Sequence, residues 1–314
     1  MIFIFKKNPE SFNFEIEEND TKNTNLIVDT VEFVKEPRRN IFSGVFHIFF
    51  GYILLLIAVI LVFIKFPMWL IGWIILFVSL HIIFRGKQLM AVSGNKVMKN
   101  KQLPIVLYLR PFNLDNYYTR NIYTFFISLP FITKEMKFVK ILKSKGSVIA
   151  IGKPSEKYAS LGASRLYVEH HLWQEKVMNL IENSKLILLV IGYSKSLVWE
   201  LDYISKNTDP EKFYLYFPLS EYDTEDREKY WSLFLDSYTQ NASNPFIQFP
   251  KFIDNITFFK FDKNWEVIPI SQSRRKAILI RRFFEWSFFG LIIKSLLGLQ
   301  HNRDSKLLKE LISE

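Results

Sequence analysis

Leu186-Ile187-Leu188-Leu189-Val190-Ile191-Gly192-Tyr193-Ser194-Lys195-Ser196-Leu197-Val198-Trp199-Glu200-Leu201 is the stretch whose reading decides the fold. Six consecutive apolar residues closed by a glycine predict a strand over 186–191 that is buried on both faces, because a half-buried strand would alternate. Serines follow it, the residues that favour helix starts, and a helix is expected to begin near Ser196 and to run through 198–205. Upstream, Leu172, Val177, Leu180 and Ile181 fall at helical spacing over 172–183. Helix, strand and helix in succession are the rhythm of a parallel sheet with crossover helices.

The same rhythm extends outward. Residues 105–109, 147–151, 213–217 and 256–261 read as further strands, and 125–143 as largely helical. The expectation is an α/β domain over 101–270, a flavodoxin-like parallel sheet of about five strands with flanking helices. In such sheets ligands bind outside the carboxyl ends of the strands. Three loops are singled out by that rule. The first is Arg110-Pro111-Phe112-Asn113-Leu114-Asp115. The second is Gly152-Lys153-Pro154-Ser155-Glu156-Lys157, continuing to Gly162-Ala163-Ser164-Arg165. The third is Gly192 to Leu201.

N-terminal to that domain lie two apolar segments, 41–64 and 67–84, with Lys65 as the one formal charge in 41–84. Each approaches the roughly 20 residues that cross a hydrocarbon core about 30 Å thick. The link Lys65-Phe66-Pro67 is short, and Pro67 suits the first turn of a helix, so a transmembrane helical hairpin is expected. Arg38 and Arg39 before it, and Arg85 and Lys87 after it, place both soluble parts on the cytoplasmic side of the inner (plasma) membrane, in a multi-pass arrangement. The first apolar run begins about forty residues into the chain, beyond the window of a cleaved signal peptide. His47 and His81 fall inside the spans; they read either as proton-relay groups or as histidines satisfied locally, with no acid in either span to pair them. Residues 1–40 form an N-terminal cytoplasmic segment with short alternating patches and no evident chemistry.

Composition narrows the classes. The 314 residues contain no cysteine, which excludes disulfides, thiolate metal sites and a cysteine nucleophile. The net charge of +10 is concentrated beside apolar segments, including Arg274, Arg275, Lys276, Arg281 and Arg282, so anionic lipid headgroups rather than nucleic acid are the expected partners. The segment 271–314 reads as a basic amphipathic helix lying in the membrane interface; a helix covering the sheet and a third span are the alternatives. His170-His171 with Glu169 and Glu175 lacks the spaced pair a metal needs and reads as surface. No phosphate-binding Walker loop, GxGxxG turn or nucleophile elbow is present, which argues against a kinase, a dehydrogenase and a serine hydrolase.

The strand at 186–191, with Tyr193, Ser196, Trp199 and Glu200-Leu201 after it and the helix at 173–184 before it, resembles the TIR domains over about 104–262. The chain departs from that family in Tyr108-Leu109-Arg110, where a Ser-Tyr pair followed by an acid is usual, and in the adjacency of Trp199 and Glu200. The resemblance implies a membrane-anchored TIR-like effector that hydrolyses the N-glycosidic bond of NAD, in bacterial defence or stress response, with NAD as substrate and no resident cofactor. The alternative is a non-enzymatic module that senses a nucleotide ligand, or assembles as a homo-oligomer, and acts through its membrane helices. Glu200 is the catalytic residue the resemblance implies, since a carboxylate stabilises an oxocarbenium-like ribose; its plainer reading is a first-turn acid favoured by the helix dipole. Arg110, Lys153 and Arg165 are the expected pyrophosphate cations, and Phe112 or Trp199 the stacking rings. Asp115, Gly152 and Ser196 complete the expected substrate-binding set. A loop cation is more often simply solvated, and Trp199 serves equally well as a packing anchor.

Overall fold

The computed structural model describes residues 37, 39–64, 68–99, 103–111, 134–153, 156–218, 224–243, 247–252, 256–271 and 302–313. Phe112 and Asp115, the first part of the helix expected over 125–143, and the basic segment 272–301 lie outside the described residues, as does nearly all of 1–40.

The hairpin consists of α1 (Ile41–Val62) and α2 (Met68–Leu89). Asn40 starts α1 by accepting the Ser43 backbone N–H at 2.9 Å. Helix α2 runs five residues beyond the apolar segment, because backbone hydrogen bonding rather than hydropathy sets where a helix ends; Arg85 and Lys87 therefore ride on its final turns. Small residues recur every seventh position along both buried seams, Gly44, Gly51 and Ala58 on α1 and Gly72, Ser79 and Gly86 on α2. They bring the two backbones together: a Cβ at Gly86 would stand 2.7 Å from the Gly44 carbonyl oxygen, and one at Gly72 2.7 Å from the Val62 nitrogen. Large side chains point the other way, with Phe42, Phe46, Phe49 and Leu56 exposed. Both helices are long and apolar enough to cross a membrane, with mean hydropathy 2.8 and 1.6.

Seven strands make one mixed sheet among the described residues: β1 (Ile105–Leu109), β2 (Ser147–Ile151), β3 (Ser164–Leu166), β4 (Ser184–Val190), β5 (Phe213–Tyr216), β6 (Ile256–Phe261) and β7 (Val267–Ser271), in the order β3-β2-β1-β4-β5-β6-β7. The first five are parallel; β6 and β7 are antiparallel to their neighbours. The expectation of an all-parallel sheet of about five strands is thereby corrected. An apolar run such as 256–261 carries no sign of its direction. Its pairing with β5 shows the direction, and a tight reversal after it, in which Asp262 Oδ1 accepts the N–H groups of Asn264 and Glu266 and Trp265 takes φ 63°, turns β7 back antiparallel to it. Strand β3 is three residues long, too short for periodicity to reveal, and β7 is half exposed with Pro269 inside it.

Alternation along the strands sends Leu107, Ile149, Ile187, Leu189 and Leu215 to one face and Val106, Tyr108, Val148, Leu188 and Tyr216 to the other. The first face is covered by α5 (Trp173–Glu182), α6 (Lys195–Asn207) and α7 (Thr224–Asn241), and the second by α4 (Lys134–Leu142) and α8 (Asn302–Ser313). Rings fill the first core, with Trp231 stacked on Phe259 at 5.2 Å and edge-on to Phe217. Helix α8 belongs to the sheet rather than to a surface tail: Leu308, Leu311 and Ile312 are buried, and Asp304 accepts the Tyr216 hydroxyl at 2.6 Å and pairs with Lys134 at 3.1 Å.

The exit from the hairpin is docked, not tethered. After α2 the chain forms a parallel bridge between Ser93 and Arg165 on β3, then enters α3 (Gly94–Lys99), which packs on that strand. Gly94 permits the approach, since a Cβ there would stand 2.8 Å from the Arg165 carbonyl. Arg85 lies 4.2 Å above the Tyr158 ring, and the Asn40 N–H donates to the Leu89 carbonyl at 3.2 Å, tying both hairpin ends together.

Candidate functional site at the carboxyl edge of the sheet

Strands β3, β2, β1 and β4 are consecutive neighbours and parallel, so the loops after them open on one edge. The helix α4 that follows β1 lies on one face and the helix α6 that follows β4 on the other, which makes the gap between β1 and β4 a topological switch point, the usual place for a ligand. Pro111 closes against Gly192 there: a Cβ on Gly192 would meet Pro111 Cγ at 2.9 Å. The β4 loop is held from outside by α7, where Tyr230 donates to the Ile191 carbonyl and Ser237 to the Tyr193 carbonyl, each at 2.9 Å. Ser194, two residues ahead of the residue expected to begin the helix, caps α6.

On the α4 side Glu135 gathers two of the expected cations. Its Oε1 and Oε2 accept from Arg165 Nη2 at 2.7 and 2.8 Å, Oε2 lies 3.4 Å from Arg110 Nε, and Oε1 also accepts the Ala163 N–H at 3.1 Å. Gly162, at φ +139°, leaves room for this carboxylate, for a Cβ there would sit 2.5 Å from Oε1. The Arg165 side chain is 1% exposed and that of Arg110 9%. Burial alone would raise the Glu135 pKa, but the charges of Arg165 and then Arg110, with the Ala163 N–H, hold it below the ordinary carboxylate range. Burial pulls the Arg165 pKa down, and the Glu135 charge more than reverses that. Burial, reinforced by the neighbouring charge of Arg165, lowers that of Arg110. Gly152 is pressed against the Tyr167 ring, whose hydroxyl donates to Glu156 at 2.9 Å. Lys153 is exposed.

Glu200 lies on the opposite face, in the second turn of α6. It is 8% exposed, and burial pushes its pKa up to about 8, with no cation or donor among the described residues counteracting it. Burial therefore favours the protonated form of this carboxyl near neutral pH. Ser196 is exposed at the first turn, and its hydroxyl is 3.2 Å from that of Ser194. Trp199 packs against Trp173 at 5.1 Å and Tyr203 at 5.8 Å, and joins the core on the α5 side.

The structure thus brings Arg110 and Arg165 together, keeps Gly152 and Lys153 at the neighbouring strand end, and sets Glu200, Ser196 and Trp199 on the other face of the sheet. The acid that organises the cations, Glu135, lay unremarked in the sequence: it is one of several charges in Lys134-Glu135-Met136-Lys137, and nothing local marks it as facing inward. His47 is satisfied within its helix, its Nδ1–H donating to the Ser43 carbonyl at 2.6 Å, and His171, 72% exposed, lies 3.3 Å from Glu169. Comparison of the chain with protein-family models, with curated proteins and with solved structures returned no match.

Proposed function

We propose that the chain is a membrane-anchored, TIR-like sensing or assembly module, with the hairpin crossing the bilayer twice and the α/β domain and both termini in the cytoplasm. The run β2-β1-β4-β5, with α4 and α8 on one face and α5 to α7 on the other, is compatible with a flavodoxin-like winding to which β3 and the β6–β7 hairpin are additions. The observation that carries the reading is that one residue joins site and anchor. Arg165 shares Glu135 with Arg110 at the switch point and pairs through its backbone with Ser93 at the end of the hairpin. A nucleotide-type anion drawn to Arg110 and Lys153 competes for the guanidinium groups that Glu135 holds. Any resulting shift of β3 is passed to α2, and gathered copies gather their hairpins. The test is the size of the full chain in lipid nanodiscs, or leakage of vesicles containing it, with and without NAD or ADP-ribose. The expected result is a ligand-dependent change that persists in Glu200→Gln and disappears in Lys153→Glu. Indifference of both readouts to any nucleotide sinks the proposal.

The second reading, cleavage of the nicotinamide–ribose bond of NAD, is favoured by Glu200, since a carboxyl perturbed by burial near a switch point is a recurring mark of catalytic groups. The stabilising form is the carboxylate, so turnover rises with pH through about 8, where the buried group ionises. Nicotinamide release by the wild type and none by Glu200→Gln supports it; equal release by both removes Glu200 from the mechanism.

A further inference from the structure

The loop between β2 and β3 reaches back to the final turns of α2. Arg85 of that helix lies 4.2 Å above the Tyr158 ring, and Lys157 Nζ stands 5.7 Å from the same ring, so a cation of the anchor and a cation of the domain share one aromatic side chain. We propose that this loop, through Lys157 and Tyr158, rests in the headgroup layer of the bilayer as a second membrane contact, with the lysine on anionic headgroups and the ring at the apolar boundary. The inference rests on the hairpin being membrane-spanning.

Register along the helices carries it. The Asn40 N–H donates to the Leu89 carbonyl, which sets the foot of the hairpin at those two residues, and Gly86 meets the Gly44 carbonyl nearly one turn further in. Arg85 is four residues from Leu89, about 6 Å along the axis at roughly 1.5 Å per residue. At that level α1 already turns Phe42, Val45 and Phe46 outward. Those side chains need lipid around them in a spanning pair, so a loop that reaches Arg85 stands in the interface and not in free water. Its place is fixed from the domain side. The Tyr167 hydroxyl donates to Glu156 at 2.9 Å, and β3, next in the chain, pairs through Arg165 with Ser93 at the end of the hairpin. The chemistry suits that depth: Lys157 is exposed and Tyr158 partly buried, a lysine lays its stem on apolar surface while its ammonium meets phosphate, and tyrosine joins an apolar body to a polar tip. Arg39 and Lys87, both exposed, add positive charge around the foot, while the loop's acid, Glu156, is taken by Tyr167. Anionic headgroups are the complement.

The test uses the full chain in lipid nanodiscs. The chain has no cysteine and Lys157 is exposed, so Lys157→Cys keeps the fold and places a single nitroxide on the loop. Its collisions with oxygen, which concentrates in lipid, are expected to exceed those with a water-soluble nickel chelate. In the unlabelled wild type a water-soluble amine reagent is expected to acylate Lys157 about fivefold more slowly in phosphatidylglycerol discs than in phosphatidylcholine discs, the equivalent of the roughly 1 kcal/mol a lysine gains at an anionic surface. The internal reference is Lys263, 84% exposed on the turn after β6. Nickel collisions at position 157 as frequent as those of a nitroxide on Lys263→Cys overturn the membrane contact. Equal acylation of Lys157 in the two lipids overturns its pairing with anionic headgroups. A nitroxide on Ile53→Cys, exposed at the middle of α1, separates the two premises. Nickel access there refutes the spanning hairpin, whereas a lipid-embedded position 53 with an aqueous position 157 refutes the loop contact alone.

Discussion

In the hairpin the closest contacts are made by residues with almost no side chain; in the α/β domain they are made by the largest rings. Gly44 and Gly86 meet backbone to backbone, while Trp231, Phe234, Phe249 and Phe259 form a continuous aromatic packing under α7. The difference is the one that two solvents, water and lipid, would select. In water, burying a large ring is the main favourable term, at about 25 cal/mol per Å² of apolar surface. Between helices in lipid that term is absent, so association rests on close approach, which small residues permit. The hairpin accordingly turns its phenylalanines outward, and the domain turns them inward.

That contrast can be broken or sharpened at its charged positions first. Glu135→Gln removes the carboxylate that the buried Arg110 and Arg165 share, leaving Glu156 as the weaker counter-charge, and is expected to cost about 3–5 kcal/mol of domain stability, measured by denaturant unfolding in detergent. Because the Glu135 pKa is lower in the folded state, its contribution is present above the unfolded value near 4.5 and is lost as pH falls through the folded value. Glu200 has the opposite sign. Its folded pKa of about 8 lies above the unfolded 4.5, so the folded state binds the extra proton and stability falls as pH rises from about 4.5 to 8. Glu200→Gln is expected to flatten that slope and to stabilise the domain at pH 9 by on the order of a few kcal/mol; a slope unchanged in the variant means the carboxyl is ionised throughout. The smallest effect is expected in the hairpin. Gly51→Leu drives a side chain into Ile83, where a Cβ already falls 2.5 Å from Cγ1, and should cost about 1–3 kcal/mol by forcing the helices apart. Disulfide trapping between cysteines placed on α1 and α2 reads this directly, and efficient trapping in the variant shows that the seam does not depend on small residues.

How far the sequence disclosed these regions depended on the range of the interactions. The hairpin and strands β1, β2, β5 and β6 were legible because each is a local run of one character. Strand β4 was too, though it begins at Ser184 and ends at Val190 rather than spanning 186–191. Strand β3 and the antiparallel course of β6 were not, since pairing partners decide them. The seven-residue recurrence of small residues was present in the sequence and is visible only when the two spans are read as facing seams. At the site, Arg110 and Arg165 could be chosen by loop position, but their common partner, Glu135, lies 25 and 30 residues away from them in the chain and is brought there by α4. Burial of Glu200 was not read from the sequence, where it stood as a first-turn acid; it lies in the second turn of α6, with Leu197, Leu201 and Ile204 of the same helix also buried, and burial raises its pKa.

The two ends of the sheet carry a consequence for how copies of this chain can meet. An open sheet invites continuation, because an unpaired strand offers donors and acceptors to another chain. At one end β3 is only three residues long and the strand-like residue Ser93, leaving the hairpin, occupies its outer side. At the other end β7 contains Pro269, which has no N–H to donate. With both margins of the described sheet blunted, growth by strand addition is disfavoured, and copies would meet through helices rather than through strand edges.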